Sequence, residues 1–173
     1  MITITSQNKE STAQQIRALL EEVYDPEVPV LSIIDLGIVR DVQFDPLISP
    51  DGGWRITITP TYSGCPAMDV ITLNIRFKLI ENGYVNFTIQ SVLSPAWTTD
   101  WMSVEGKNKL KAYGIAPPKG QHLQNLFSEP VAVECPQCGS KNTKVLSEFG
   151  STSCKALYQC LDCKEPFDYF KCH

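Results

Sequence analysis

The chain has 173 residues, a formal net charge of −4, 43% hydrophobic and 20% charged residues, a globular balance that excludes a largely disordered chain. A pI of about 5.2 argues against the basic face that nucleic-acid binding requires. Residues 1–133 carry 10 Lys+Arg against 14 Asp+Glu, and residues 134–173 carry 5 of each, so neither part anchors to anionic lipid or a phosphate backbone.

The first element predicted is an amphipathic helix over 11–24, with Ile16, Leu19, Leu20 and Val23 on one face and Ser11 or Thr12 as its cap. It stops at Asp25-Pro-Glu-Val-Pro29, where two prolines hold the chain extended. Strand-like stretches between Ile33 and Phe44 and an alternating strand over Trp54–Thr59 flank a loop rich in Pro, Asp and Gly, which reads as a hairpin. A helix is then expected over 66–81, opened by Pro66 and closed by Gly83. Met68, Ile71, Ile75 and Leu79 form one apolar stripe and Val70, Leu73, Phe77 and Ile80 a second, the pattern of a well-buried helix. Tyr84–Val92 alternates again, and Ser103 caps a last short helix ending near Tyr113-Gly114. This order predicts an α+β class: a two-layer domain with helices on one face of a sheet. The expected organisation is a first domain over 1–115, a linker over 116–132 and a small C-terminal module over 133–173.

No run approaches the roughly 18–20 apolar residues of a membrane helix. Met1–Glu10 lacks the charged start and apolar core of a signal peptide. The expectation is a soluble, cytoplasmic protein with neither nucleic acid nor membrane as partner. Six of the seven cysteines lie in the last 39 residues. In a chain without a secretion signal, Cys135-Pro-Gln-Cys138 and Cys160-Leu-Asp-Cys163 read as two knuckles holding one structural Zn²⁺ through four thiolates. A reversible dithiol pair and a rubredoxin-like iron site are the alternatives. Forty residues with few apolar core positions need such a staple to fold, and a closed four-sulfur site leaves no position for catalysis. Cys154 is either an additional ligand or a small buried hydrophobe, and Cys172-His173 either a ligand pair or a frayed tail.

Cys65 stands alone in the first domain, immediately before Pro66. At a helix start its thiolate is expected to be stabilised, with a lowered pKa, which suits a nucleophile or a metal ligand; the alternative is an inert buried thiol. Asp25, Glu27 and Asp35 lie in turns, where carboxylates also serve as caps. Trp97 and Trp101 are either core anchors or a binding patch. The two histidines, His122 and His173, are both late in the chain, which leaves a Cys–His catalytic pair poorly supported. No Gly-rich phosphate loop or dinucleotide fingerprint is present.

Asp25-Pro-Glu-Val-Pro, Asp35-Leu-Gly-Ile-Val and Thr61-Tyr-Ser-Gly-Cys-Pro-Ala67 resemble, in that order, the iron–sulfur cluster assembly domain of SufT-type bacterial proteins and of the eukaryotic cytosolic targeting factors. The resemblance spans roughly residues 12–113. Leu93-Ser-Pro-Ala-Trp-Thr-Thr-Asp-Trp101, Phe149-Gly-Ser-Thr-Ser-Cys-Lys155 and Cys163-Lys-Glu-Pro-Phe-Asp-Tyr-Phe170 look like the PaaD family of phenylacetate degradation, the D subunits associated with phenylacetyl-CoA epoxidase. The resemblance implies an iron–sulfur assembly-like α+β domain followed by a zinc ribbon. It implies an accessory role in aerobic ring epoxidation, not an enzyme, with the oxygenase or reductase subunits as partners. The matching family positions are Asp25, Glu27, Asp35, Thr61 and Cys65, a metal-transfer site for transient iron or an iron–sulfur cluster. A lone thiolate needs further ligands, so dimerisation is a physical expectation. A purely structural subunit and a Cys65-dependent thioester-handling enzyme are the competing readings.

Overall fold

The computed structural model describes residues 6–118 and 133–171, which divide between Trp97 and Thr98 into two compact units. In the first, α1 spans Ser6–Leu20, starting earlier and ending sooner than the apolar spacing predicts. Ser11 and Thr12 lie inside it instead of capping it. Beyond Leu20 the chain tightens, with Glu22 and Val23 donating to the carbonyls three residues back. Val23 is buried in this turn with Ile16 and Leu20.

Asp25 N donates to Leu31 O and Ile33 N to Val23 O. The Pro-rich segment is thus a closed loop and not a free extended link. Strand β1 (Val39–Asp45) pairs antiparallel with β2 (Gly53–Ile58), and β2 pairs parallel with β3 (Phe87–Ser91), in the order β1-β2-β3. The hairpin turn requires glycine at position 52. Its φ is +78°, and a Cβ there would lie 2.1 Å from the Phe44 ring.

The crossover between the parallel strands is helix α2 (Ala67–Glu81), as parallel pairing demands. Its buried face is Ala67, Ile71, Ile75 and Leu79. The second apolar stripe is not buried, contrary to the sequence expectation: Val70, Leu73, Phe77 and Ile80 are exposed. A helix on one face of a single sheet has one side to bury. Trp97 is a core anchor, buried, with Nε1 donating to Leu36 O at 2.9 Å.

In the second unit a 3₁₀ turn at Thr99–Trp101 precedes α3 (Val104–Tyr113). Ser103 Oγ caps α3 by accepting from Gly106 N, and Gly114 closes it at φ 92°. Strands β4 (Thr143–Ser147), β5 (Lys155–Cys160) and β6 (Pro166–Phe170) form an antiparallel meander. Ala116 adds to its edge, donating to Asp168 O and accepting from Phe170 N. The small core of this sheet includes Val133, Ala156, Phe167 and Tyr169, packed around Cys135 and Cys160. Among the described residues no helix is long and apolar enough to cross a membrane.

Candidate functional site

The second unit brings Cys135, Cys138, Cys160 and Cys163 together, all four sulfurs within 4.8 Å of one another. Each pair sits on a tight knuckle. Gly139 N closes the first on Cys135 O with Gly139 at φ 75°, and Cys160 N ties the second to Glu165 O with Lys164 at φ 69°. Cys135 Sγ lies 3.8 Å from Cys163 Sγ, and Cys138 Sγ lies 3.6 Å from Cys160 Sγ. A tetrahedron of Zn–S bonds of about 2.3 Å has S···S edges of about 3.8 Å, so the donor set fits a zinc ion.

The protonation of the cage supports the same fit. Backbone N–H groups, led by that of Cys163, hold Cys160 down at about 6 despite its burial. Cys163 accepts from Glu165 N, which acts downward, but burial and the other three sulfurs push it up to about 12. Four sulfurs so placed cannot all ionise without a cation among them, and a divalent ion removes that conflict. Asp162, within the second knuckle, accepts hydrogen bonds from Ser140 and from Asn142 (2.7 Å), both just past the first. The Ser140 and Asn142 bonds hold its carboxyl below the usual range, so it clamps the two knuckles together. The motif Cys-Leu-Asp-Cys contains this residue, but only the fold shows what it binds.

Cys154 does not join the cage. It is buried, and its sulfur lies 3.1 Å from Thr152 Oγ1. Cys172, His173 and His122 lie outside the described residues.

In the first unit Cys65 is half-buried on the loop between β2 and α2. Its N donates to Tyr62 O, and its carbonyl accepts from Met68 N. Gly64, beside it, has φ +82° and open space where a Cβ would be. The expected lowering of the Cys65 pKa is not what the fold produces. Burial pushes the thiol up, and the Glu27 and Asp25 carboxylates add to the rise. The Ala67 N–H at the helix start and the Tyr62 side chain act downward and are outweighed.

Asp25 and Glu27 are thus near Cys65, brought there by the closed loop after α1. Asp25 Oδ1 accepts from Glu27 N and Val28 N at 2.7 and 2.9 Å, which makes it the buried cap of that turn. Asp35 is engaged elsewhere. Its Oδ2 accepts from Ser32 N while Ser32 Oγ accepts from Asp35 N, a reciprocal turn. Thr61 is half-buried in the cysteine loop. Among the described residues the four-sulfur cage is the only group of three or more candidate metal ligands, so Cys65 has no preassembled partner set. Thr59 closes the alternating stretch predicted over Trp54–Thr59, and nothing in the sequence marks it as buried. It is 1% exposed and its hydroxyl has no partner among the described residues.

Residues 13–90 match the model of the iron–sulfur cluster assembly protein family, and residues 119–171 that of the PaaD zinc β-ribbon domain. An Escherichia coli (strain K12) protein provisionally named as the D subunit of 1,2-phenylacetyl-CoA epoxidase is 49% identical over 91% of this chain and 92% of its own length. An Fe-S protein maturation auxiliary factor of Porphyromonas gingivalis is 35% identical over 57% of this chain and 90% of its own. A crystal structure from Bacillus anthracis, of a domain of unknown function named DUF59, superposes with a TM-score of 0.55 at 30% identity. It covers 61% of this chain and 97% of that one. With a four-thiolate ribbon behind an iron–sulfur assembly domain and this identity along nearly its whole length, the chain belongs to the family of phenylacetyl-CoA epoxidase D-subunit proteins.

Proposed function

We propose that the chain is a non-catalytic accessory factor of the phenylacetyl-CoA epoxidase system, in which Cys65 transiently binds iron or an iron–sulfur cluster on its way to the oxygenase or its reductase. The observation that carries this reading is the setting of Cys65: a half-buried thiol whose pKa burial raises, with two carboxylates near and no preassembled ligand set among the described residues. When a soft cation arrives, the thiol proton leaves to water as the metal–sulfur bond forms. A site with one thiolate and no closed cage releases its cargo readily. The remaining ligands come from the client, from a small thiol or from a second copy of the chain. The ribbon holds its own zinc as a structural element and supplies a surface for docking. The likeness to a maturation factor over the first unit supports the assembly role, and the likeness to an epoxidase D subunit supports the client.

A thioester-handling enzyme is disfavoured by the same residue, because a thiol whose pKa is raised is a poor nucleophile at neutral pH. The test is reconstitution of epoxidase activity with and without the chain, with iron measured on each partner. Cys65→Ser is expected to keep the fold and zinc yet abolish support, since a hydroxyl supplies no soft anionic ligand. Full activity and iron content restored by folded Cys65→Ser protein would overturn the transfer role and leave a structural subunit.

A further inference from the structure

The loop that carries Cys65 holds a second polar side chain, Tyr62, which the transfer role leaves without a task. Cys65 N donates to Tyr62 O at 3.4 Å, closing a four-residue turn over Tyr62-Ser-Gly-Cys65. Gly64, the third residue of the turn, has φ +82°, the left-handed value that a type II turn takes at this position. Such a turn brings its first and last residues to within about 7 Å, so Tyr62 and Cys65 are neighbours by backbone geometry. Both are half-buried, whereas Ser63 and Gly64 between them are exposed. The two ends of the turn are thus shielded from water and its tip is not.

Two hydrogen-bond donors reach the Cys65 sulfur, the N–H of Ala67 and the hydroxyl of Tyr62. Pro66, between Cys65 and Ala67, has no N–H to offer. The Ala67 donor belongs to the backbone at the first residue of α2, and its place is set by the helix. Tyr62 supplies the side-chain donor. Against the two stand the Glu27 and Asp25 carboxylates, which oppose negative charge on the sulfur.

We propose that Tyr62 is a positioning residue for the cargo: its hydroxyl donates to the Cys65 sulfur while a cation is bound there, orients that sulfur and strengthens the site. This rests on Cys65 being the transfer ligand. As the metal–sulfur bond forms, the thiol proton leaves to water and the phenol keeps its own. The sulfur retains lone pairs after giving one to the metal, so the O–H···S bond survives binding. It is also stronger there, because an acceptor carrying negative charge takes a hydrogen bond more firmly than a neutral thiol does. The hydroxyl therefore favours the loaded state over the empty one. Loss of a partner that orients a metal ligand costs about 10–100-fold in affinity. The same bond draws electron density from the sulfur, which raises the energy of sulfur-to-metal charge transfer.

The experiment is an anaerobic titration of the zinc-loaded full chain with ferrous ion, followed by the near-ultraviolet sulfur-to-iron band and by iron retained in equilibrium dialysis. Subtracting the signal of Cys65→Ser removes any contribution from the ribbon. Tyr62→Phe keeps the ring and deletes one oxygen. It is expected to bind iron about tenfold more weakly and to move the band to longer wavelength, with zinc and circular dichroism unchanged. Tyr113→Phe, at a phenol 57% exposed in the second unit, should move neither. Wild-type affinity in Tyr62→Phe would overturn the proposal and leave the transfer role standing. Weaker binding with an unmoved band would also overturn it, because Tyr62 would then act only by supporting the turn. Absence of Cys65-dependent iron in wild type would overturn the proposal and the transfer role together.

Discussion

Replacing Cys160 by Ser tests the four-sulfur cage at its most buried point. Cys160 is 0% exposed, its sulfur 3.6 Å from that of Cys138, and it packs in a core of few side chains, Val133, Ala156, Phe167 and Tyr169 among them. Zinc in small thiolate sites contributes about 10–16 kcal/mol at neutral pH. The net stability of an ordinary domain is about 5–15 kcal/mol. A core this small has no reserve of that size, so loss of the metal unfolds the ribbon. A serine hydroxyl is neutral at pH 7 and gives the ion no fourth thiolate.

Zinc measured by plasma mass spectrometry is therefore expected to fall below one per chain, and brief proteolysis to cut within 133–171. Circular dichroism of the first unit's helices should persist. Cys138→Ser is expected to be milder in proteolysis, because Cys138 is exposed and a hydroxyl there stays hydrated. Full zinc retention in Cys160→Ser would refute the ligand assignment, and equal damage from both substitutions would refute the argument from burial.

Cys65 should alkylate more slowly at pH 7.5 than an unperturbed thiol, since its pKa is raised by burial and by Glu27 and Asp25; Glu27→Gln should accelerate the reaction, and an unchanged rate would show that the carboxylate does not act on the sulfur. Asp45 has its pKa lowered from 3.8 by the Leu47 N–H and by Arg55, so its contribution to stability is present above about pH 4 and lost as pH falls through the lower folded value. The difference in urea midpoint between wild type and Asp45→Asn should shrink with acidification, and a constant difference would contradict it. Thr59→Val removes a buried hydroxyl without a partner among the described residues and should stabilise the first unit by about 1 kcal/mol; a destabilised variant would mean that the hydroxyl is bonded in solution.

The ribbon was the most legible part of the sequence. Cys-x-x-Cys spacing acts over four residues, and two such pairs in an apolar-poor segment leave few other ways to fold. Elements were legible wherever periodicity and a breaker agreed, as in α2 between Pro66 and Gly83. Two features were not, for physical reasons. Hydrophobicity cannot distinguish a face buried in its own fold from one left exposed, so both stripes of α2 read as core although Phe77 and Ile80 face outward. The Cys65 pKa depends on groups far away in sequence. The Ala67 N–H is local and visible in the motif, whereas Glu27 and Asp25 reach the sulfur only because Ile33 and Leu31 close the loop after α1. Burial, the largest influence, is set by the whole fold and outweighs the local N–H, so local reasoning gave the wrong sign. The grouping of Ala116 with the ribbon likewise rests on two backbone bonds to β6 that no residue type announces.

The two cysteine environments suit opposite tasks. In the ribbon, four sulfurs converge, backbone N–H groups hold Cys160 already near pH 6, and Asp162 ties the knuckles together. Such a cage suits one tightly held ion that would tie the fold together. Cys65 offers one sulfur, held as a thiol by burial and by two carboxylates. Binding a cation there must first expel a proton, which lowers affinity at neutral pH. The same carboxylates attract the incoming cation and return to repelling a bare thiolate once it leaves, so the loop favours reprotonation after release. In the proposed role this is what a transfer ligand requires: an affinity below that of the client, and a resting state resistant to oxidation because little thiolate is present. Lowering the Cys65 pKa, as Glu27→Gln should do, would then strengthen iron retention on this chain and slow its delivery. Iron remaining on the Glu27→Gln protein after mixing with the client is the readout; faster delivery than by wild type would contradict the argument.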